Sequence, residues 1–278
     1  MAQVTRYMRD EHDAVAIDRE ADIPQGAIDR LAELGVMGMT VPEELGGRGF
    51  SQQGYCRVME VIGAHCSSTS VFVNAHHSIG VRALLLFGTR QQQDAYLPDM
   101  ASARKLGAFA LSEPEAGSDA GNVQTTATPS PDGSHFILNR QKHYLQNGGL
   151  EQVNRIWQNV LGEEGKGLKV ALTVLDFGRT TFGACCTGAA KTCLRLAVEH
   201  ANRRKQFGRA LGEFDLVRAK IAHMAASVYA MEAMTTVTAS LIDRGLDDYL
   251  LERAMLKVFA TERLRQAVNE SFPTHGGA

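Results

Sequence analysis

Ala108-Phe109-Ala110-Leu111-Ser112-Glu113-Pro114-Glu115-Ala116-Gly117-Ser118-Asp119 sets an apolar extended run against a turn. Pro114 presets φ, and Gly117 permits tight or left-handed geometry, so the reversal itself is explained by ordinary turn chemistry. Turn chemistry does not account for a hydroxyl on each side, Ser112 and Ser118, followed at once by Asp119. The stretch therefore presents hydroxyls and backbone amides together at the end of an apolar strand.

The grammar around this stretch is that of a β-region. Gly107 to Ser112 reads as extended, Ser130-Pro131-Asp132-Gly133-Ser134 as a turn, and Phe136-Ile137-Leu138 as a short apolar run before Asn139-Arg140. Short apolar runs separated by Pro-Asp-Gly punctuation predict a hairpin. The pattern continues to Tyr144-Leu145 and stops near Asn147-Gly148-Gly149-Leu150.

Helical patterning lies on both sides. Upstream, Pro24 opens a helix with Ile28, Leu31, Ala32 and Leu34 on one face and Gly35 as its stop. Val41-Pro42-Glu43-Glu44-Leu45-Gly46-Gly47-Arg48-Gly49 reads as a loop, and no strand precedes its glycines to make a dinucleotide fingerprint. Helical patterning returns over Tyr55 to Gly63 and Val71 to Phe87, after which Thr89 caps the next helix. Downstream, the chain from Val160-Leu161-Gly162 onward reads as helical to the end. Ala190, Cys193, Leu194, Ala197, Val198 and Ala201 form one stripe, with Arg195 and Glu199 off it. Val217, Ile221, Met224, Val228, Met231, Thr235, Thr238 and Ile242 alternate spacings of four and three, a seam for packing nearly parallel to another long helix. Gly245 ends that helix, and Asp247 or Asp248 caps a last one through Leu251, Val258 and Val268.

Composition narrows the class. The 278 residues hold 44% hydrophobic and 22% charged side chains, near the soluble globular average. A net charge of -2 excludes a nucleic-acid-coating surface. No apolar run predicts a transmembrane segment, and Met1-Ala2-Gln3-Val4 carries no secretory h-region, so a secreted protein is not expected. Cys56, Cys66, Cys185, Cys186 and Cys193 lack CxxC spacing and read as free thiols in a reducing compartment. His65, His76 and His77 have no carboxylate pair to complete a metal set, so no metal is expected.

The opening stretch closely resembles the first signature of the acyl-CoA dehydrogenases, FAD-dependent enzymes that desaturate acyl thioesters between Cα and Cβ. Val41-Pro42-Glu43-Glu44-Leu45-Gly46-Gly47 is similar to the family's loop before its third helix, and Arg204-Lys205-Gln206-Phe207-Gly208 to its R-x-Q-F-G segment. The Asn147-Gly148-Gly149-Leu150 tetrad and the long bundle helix look most like the very-long-chain branch. The resemblance runs over essentially the whole chain. It implies a mostly α fold: an N-terminal helical domain (1–106), a residual, incomplete β-domain (107–160) and a C-terminal helical bundle lacking its last helices (161–278). It implies that Phe109, Leu111 and Ser112 lie against the flavin, that Ser118 serves cofactor and substrate, and that Tyr144 and Gln146 stand where an aromatic and a small hydroxyl meet the ring. Arg204, Gln206 and Phe207 would reach the FAD of a neighbouring subunit, as an arginine fork on pyrophosphate and a phenyl face on a flat ring system would. The implied partners are an acyl-CoA substrate, an electron-transfer flavoprotein-type acceptor and further copies of the chain in a homodimer or homotetramer. The implied compartment is a bacterial cytoplasm or the mitochondrial matrix.

The chain also departs from the family. Gln146 replaces the small hydroxyl, most of the β-domain expected between Leu150 and Val160 is missing, and His275-Gly276-Gly277-Ala278 stands at the Gly-Gly cofactor segment with Pro273 at its usual Gln. The reaction needs a carboxylate within reach of the α-proton. In most members it follows the Gly-Gly segment; in a minority it matches Gly178, in Asp176-Phe177-Gly178-Arg179. Residues 1–278 thus carry no catalytic base, and an impaired or inactive enzyme is expected. The alternative is a non-catalytic helical interaction or assembly protein built on the same scaffold, and a third is an acyl-CoA oxidase or nitroalkane-oxidising relative.

Overall fold

The computed structural model describes residues 1–148, 160–246 and 248–276. The chain forms two compact units, each drawn from separated stretches: Met1–Ile23, Ser51–Val71 and Arg179–Ala278 in the first, Pro24–Phe50 and Phe72–Gly178 in the second.

In the first unit, α1 (Ala2–Asp10) buries Val4, Tyr7 and Met8, one helical face, while α2 (Ala14–Glu20) is capped by Asp13 accepting from the Ala16 amide. α4 (Gln52–His65) is capped by Ser51 and buries Tyr55, Val58, Met59 and Ile62. The long helices are α8 (Gly167–Arg203), which begins in the second unit, α9 (Asp215–Asp243) and α10 (Leu250–His275). Their shared core consists of Cys186, Ala190, Ala197, Met224, Val228, Met231, Leu256, Ala260 and Ala267. The 4/3 stripe on α9 behaves as its spacing predicts: Met224, Val228, Met231, Thr235 and Thr238 are buried. Small residues on α8 let α4 approach closely. A Cβ on Gly188 would stand 1.9 Å from the Glu60 carbonyl oxygen, and one on Gly63 2.5 Å from that of Cys185. Cys56, Cys66, Cys185 and Cys186 are buried free thiols, and burial pushes Cys56 up to about 12 and Cys186 to about 11. They act as small hydrophobes.

In the second unit, α3 (Gln25–Glu33) buries Ile28 and Leu31. A 3₁₀ turn at Glu43–Leu45 folds the glycine-rich loop. α5 (Ser67–Ala75, shared with the first unit) runs into a π-helical segment, His76–Val81, and then α6 (Arg82–Phe87). α7 (Arg90–Ala101) starts with a complete capping box between Thr89 and Gln92. Val41, Leu45, Val81, Leu84, Leu97, Met100 and Ala101 make the core. The expected hairpin is present: β1 (Thr126–Pro129) pairs antiparallel with β2 (Phe136–Asn139), from Thr126 opposite Asn139 to Pro129 opposite Phe136. All its residues but Phe136 are exposed.

Three local expectations are corrected. The chain beyond Val160 is not helical throughout: β3 (Lys205–Gln206) and β4 (Arg209–Ala210) form a small hairpin between α8 and α9. Adjacent left-handed residues at Phe207 and Gly208, with φ +52° and +81°, make the tight turn that the helical reading overlooked. Asp248 does not cap α10, which begins at Leu250 with Tyr249 in the capping position and no side-chain cap; a side chain two residues ahead of the first turn is too remote. Asp247 lies outside the described residues. The helix over Val71 to Phe87 is interrupted, because the π segment inserts a widened turn where His76 and His77 are buried.

Candidate functional site

The signature strand in the second unit is held by a second extended segment running antiparallel to it. Phe109 and Gln146 exchange both backbone hydrogen bonds at 3.1 Å, and the His143 amide donates to the Ser112 carbonyl at 2.9 Å. The Asn147 side-chain amide donates to the Gly107 carbonyl at 3.0 Å and to that of Phe72 at 3.3 Å. Lys142 Nζ donates to the Leu111 carbonyl at 3.1 Å. Phe109, Leu111, Ser112, Tyr144 and Gln146 therefore come together on one two-stranded ribbon.

The turn closes through Glu113 and Ala116, paired by hydrogen bonds of 2.9 and 3.2 Å across Pro114-Glu115. The Glu113 carboxylate does not face solvent. It takes Lys142 Nζ at 2.7 Å, the amides of Gln124 at 2.7 Å and Thr125 at 3.1 Å, and the Thr125 hydroxyl. Lys142 first, then the hydroxyl and the two amides, hold Glu113 down at about 2. A carboxylate so engaged is a clamp and a poor proton acceptor. Sequence reasoning passed over Lys142 because a single lysine between Gln141 and His143 has no pattern; only the fold brings it to Glu113.

Ser118 sits exposed beyond the turn. Among the described residues, the amides of Ala110, Leu111 and Ser112 and the hydroxyls of Ser112 and Ser118 donate to no protein group. Tyr144, at φ +53°, is 85% exposed, and Leu145 is also exposed. The segment thus offers unspent donors near the uncovered Tyr144 ring. That is a fit for a flat, acceptor-rich heterocycle such as a flavin.

Gly178 lies on the part of α8 in the same unit. Its carbonyl accepts from Asn74 Nδ2 at 3.4 Å, and a Cβ there would meet Ser78 Cβ at an ordinary 3.4 Å. Space exists for a side chain, and glycine occupies it. His76 and His77 are fully buried beside this unit's loop. His76 Nε2 lies 3.1 Å from the Met37 carbonyl, while His77 bonds the Val36 carbonyl at 2.7 Å and Thr40 Oγ1 at 2.9 Å. Neither is grouped with metal-ligating partners, and no such group occurs among the described residues.

Arg204, Gln206 and Phe207 belong to the first unit. The Arg204 amide continues α8 by donating to His200 at 2.8 Å, Gln206 pairs with Arg209, and Phe207 caps the β3–β4 turn. Phe207 is 92% exposed although its left-handed backbone suits glycine. The phenyl ring is thus displayed to solvent from a backbone region that L-residues rarely adopt. Arg209, stacked 3.9 Å over Phe214, braces the turn from beneath.

Two family profiles match. The one described as acyl-CoA dehydrogenase, N-terminal domain, covers residues 1–104, and the one described as acyl-CoA dehydrogenase, C-terminal domain, covers residues 165–278. Together they take in most of the chain. The chain belongs to the acyl-CoA dehydrogenase family. The very long-chain specific acyl-CoA dehydrogenase of Rattus norvegicus mitochondria is 31% identical over 331 positions, covering 99% of this chain and 50% of that protein. The chain thus spans about half the length of the curated relatives it matches. Because 331 positions exceed its own 278 residues, the relative carries internal residues that this chain lacks. Butyryl-CoA dehydrogenase from Megasphaera elsdenii superimposes with a TM-score of 0.91 at 26% identity, covering 99% of this chain and 86% of that one. An acyl-CoA dehydrogenase complexed with FAD from Bacillus anthracis gives 0.88 at 26% identity, covering 99% and 59%. The expected mostly helical fold of this family, shortened, is what the chain adopts.

The clamp yields a first expected result. Lys142→Met should lower the thermal midpoint at pH 7 by leaving the Glu113 carboxylate buried without its cation. It should also raise the Glu113 pKa, so that the acid-sensitive window, between 4.5 and about 2 in the parent, narrows from its lower edge and less stability is lost on acidification. Melting curves from pH 7 to pH 3 check both; an unchanged midpoint at pH 7 refutes the clamp.

Proposed function

We propose that this chain is an FAD-dependent member of the acyl-CoA dehydrogenases of fatty-acid β-oxidation, impaired or inactive in the desaturation itself. The signature segment over Phe109 to Ser112, with the amides of Ala110, Leu111 and Ser112 and the Ser112 hydroxyl unspent, carries this reading. FAD would supply the hydride acceptor. Phe109, Leu111 and Tyr144 would cover its ring, the Ser112 amide and hydroxyl would donate to ring acceptors, and Ser118 would serve cofactor and acyl-CoA together. Gln146 would meet the ring through an amide in place of a small hydroxyl. Arg204, Gln206 and Phe207, on their exposed hairpin, would complete the site of a second copy in a homodimer or homotetramer. An electron-transfer flavoprotein-type acceptor and a bacterial or mitochondrial-matrix setting belong to the same reading, as does the three-part division at 106 and 160.

The limit on activity is the proton. Removal of an acyl-CoA α-proton needs a positioned carboxylate, worth about 10²- to 10⁴-fold. Gly178 supplies none, and Glu113 is spent on Lys142 and the Gln124-Thr125 amides. Purified residues 1–278 should bind FAD and fail to reduce an artificial acceptor with palmitoyl-CoA. Turnover at rates typical of the class would overturn the assignment of the base. Absence of FAD binding would overturn the cofactor reading.

Phe207 gives a sharper test. Phe207→Gly removes a side chain from a left-handed position, where an L-residue costs roughly 1–2 kcal/mol, so folding stability should hold or rise. FAD affinity and the sedimentation coefficient should nonetheless fall. A variant that is more stable and binds FAD as tightly as the parent assembly would remove Phe207 from the site.

A further inference from the structure

Gly107 begins the flavin-facing strand, and the π-helical segment of the second unit is built around it. Its amide donates to His76 Nδ1 at 3.1 Å. Four residues further along, Gly80 meets it backbone to backbone: a Cβ on either glycine would stand 2.7 Å from the other's Cα. A Cβ on Gly107 would also stand 3.1 Å from the His76 carbonyl oxygen and 3.3 Å from Met100 Cε. Since Nδ1 accepts, the ring proton sits on Nε2, which donates to the Met37 carbonyl at 3.1 Å. One neutral imidazole thus ties the loop at Met37 to the first peptide of the signature strand.

We infer that His76 is a positioning residue for the cofactor strand: its neutral imidazole, with Gly80, seats Gly107 and so sets where Phe109, Leu111 and Ser112 stand. The inference rests on the cofactor reading above for its consequence, and on the geometry alone for the seat. Three features make the seat specific. The π segment widens the turn so that His76 and His77, adjacent in sequence, both reach the loop at Val36 and Met37. The Asn147 side chain holds the carbonyl of the same Gly107 whose amide His76 holds, so the residue is gripped from both sides. Finally, His77 is equally buried and its ring bonds the loop at Val36 and Thr40, not the Gly107 amide, while lying edge-on to the His76 ring. It therefore serves as a matched control.

Asparagine carries an acceptor near the Nδ1 position, whereas glutamine places its amide near Nε2. His76→Asn should keep the Gly107 bond, and His76→Gln should lose it. Amide hydrogen exchange at Gly107, taken relative to Leu97 in the same unit, should speed up roughly tenfold in His76→Gln and stay within about twofold in His76→Asn and His77→Gln. FAD titration should follow the same order, weakened about tenfold only in His76→Gln. Should His76→Gln not fold, the ¹⁵N shifts of His76 in the unaltered protein decide: an unprotonated, hydrogen-bonded Nδ1 supports the seat, and a protonated Nδ1 overturns it. Equal Gly107 exchange in all variants also overturns it. Failure of the unaltered protein to bind FAD defeats the cofactor reading, while the exchange pattern still judges the seat.

Discussion

Gly188→Ala is expected to lower the melting temperature by roughly 6 to 12 °C, from about 3 kcal/mol of overpacking at 2–4 °C per kcal/mol. The added methyl would lie 1.9 Å from the Glu60 carbonyl oxygen and 2.9 Å from the Ala64 amide. These are backbone atoms of α4, so no rotamer change relieves the clash and two helices must separate. Separation would strain the Thr192 hydroxyl bond to the Ala64 carbonyl and the Lys191–Glu60 pair, which bridge the same helices at 2.8 and 2.6 Å. Gly63→Ala, opposed by Cys185 backbone, should behave alike. Gly26→Ala is the control: nothing lies within 4 Å of a Cβ there, and alanine in a helix stabilises by about 0.5–1 kcal/mol. Differential scanning calorimetry of the three variants checks the result, and a Gly188→Ala midpoint within about 2 °C of the parent, roughly 0.5–1 kcal/mol, would refute the close crossing.

The second large effect is acid lability between pH 6.5 and 4. Burial holds His76 down at about 4, and it holds His77 well below the ordinary value with help from His76 and Arg82. Above pH 6.5 both rings are neutral whether the chain is folded or not. As pH falls below that, the unfolded chain takes up protons that the folded one refuses, so stability declines by about 1.4 kcal/mol per pH unit for each histidine. His76 alone accounts for about 3 kcal/mol by pH 4. Glu113 acts in a lower window, below 4.5, and does not confuse the measurement. Urea midpoints from pH 7.5 to 4.5 should fall steeply, and His76→Asn should flatten the slope by one proton. A midpoint independent of pH in this range would show that the two rings are hydrated.

Much of the fold could be read from residue order because its signals are local and periodic. The stripe from Val217 to Ile242 demanded a buried seam, and α9 buries Met224, Val228 and Met231 along it. The Thr89 cap and the Pro-Asp-Gly hairpin needed nothing beyond a few neighbouring residues. Failures of the same reading were also local. The turn at Phe207-Gly208 interrupts a stretch that reads as helical to the end, because an aromatic gives no turn signal, and α10 starts two residues after Asp248.

The helical class, the apolar faces and the signature turn were written in the chain, since each depends on spacing and on the stereochemistry of proline and glycine. Pairings between distant residues were not. Glu113 acquires its cation from Lys142, Gly107 its acceptor from His76 and its donor from Asn147, and Gly188 its neighbour from Glu60. Such contacts join residues separated by tens to more than a hundred positions, where chain order imposes no distance. They arise only when packing of the apolar faces brings the segments together and sets the buried polar groups within reach of one another.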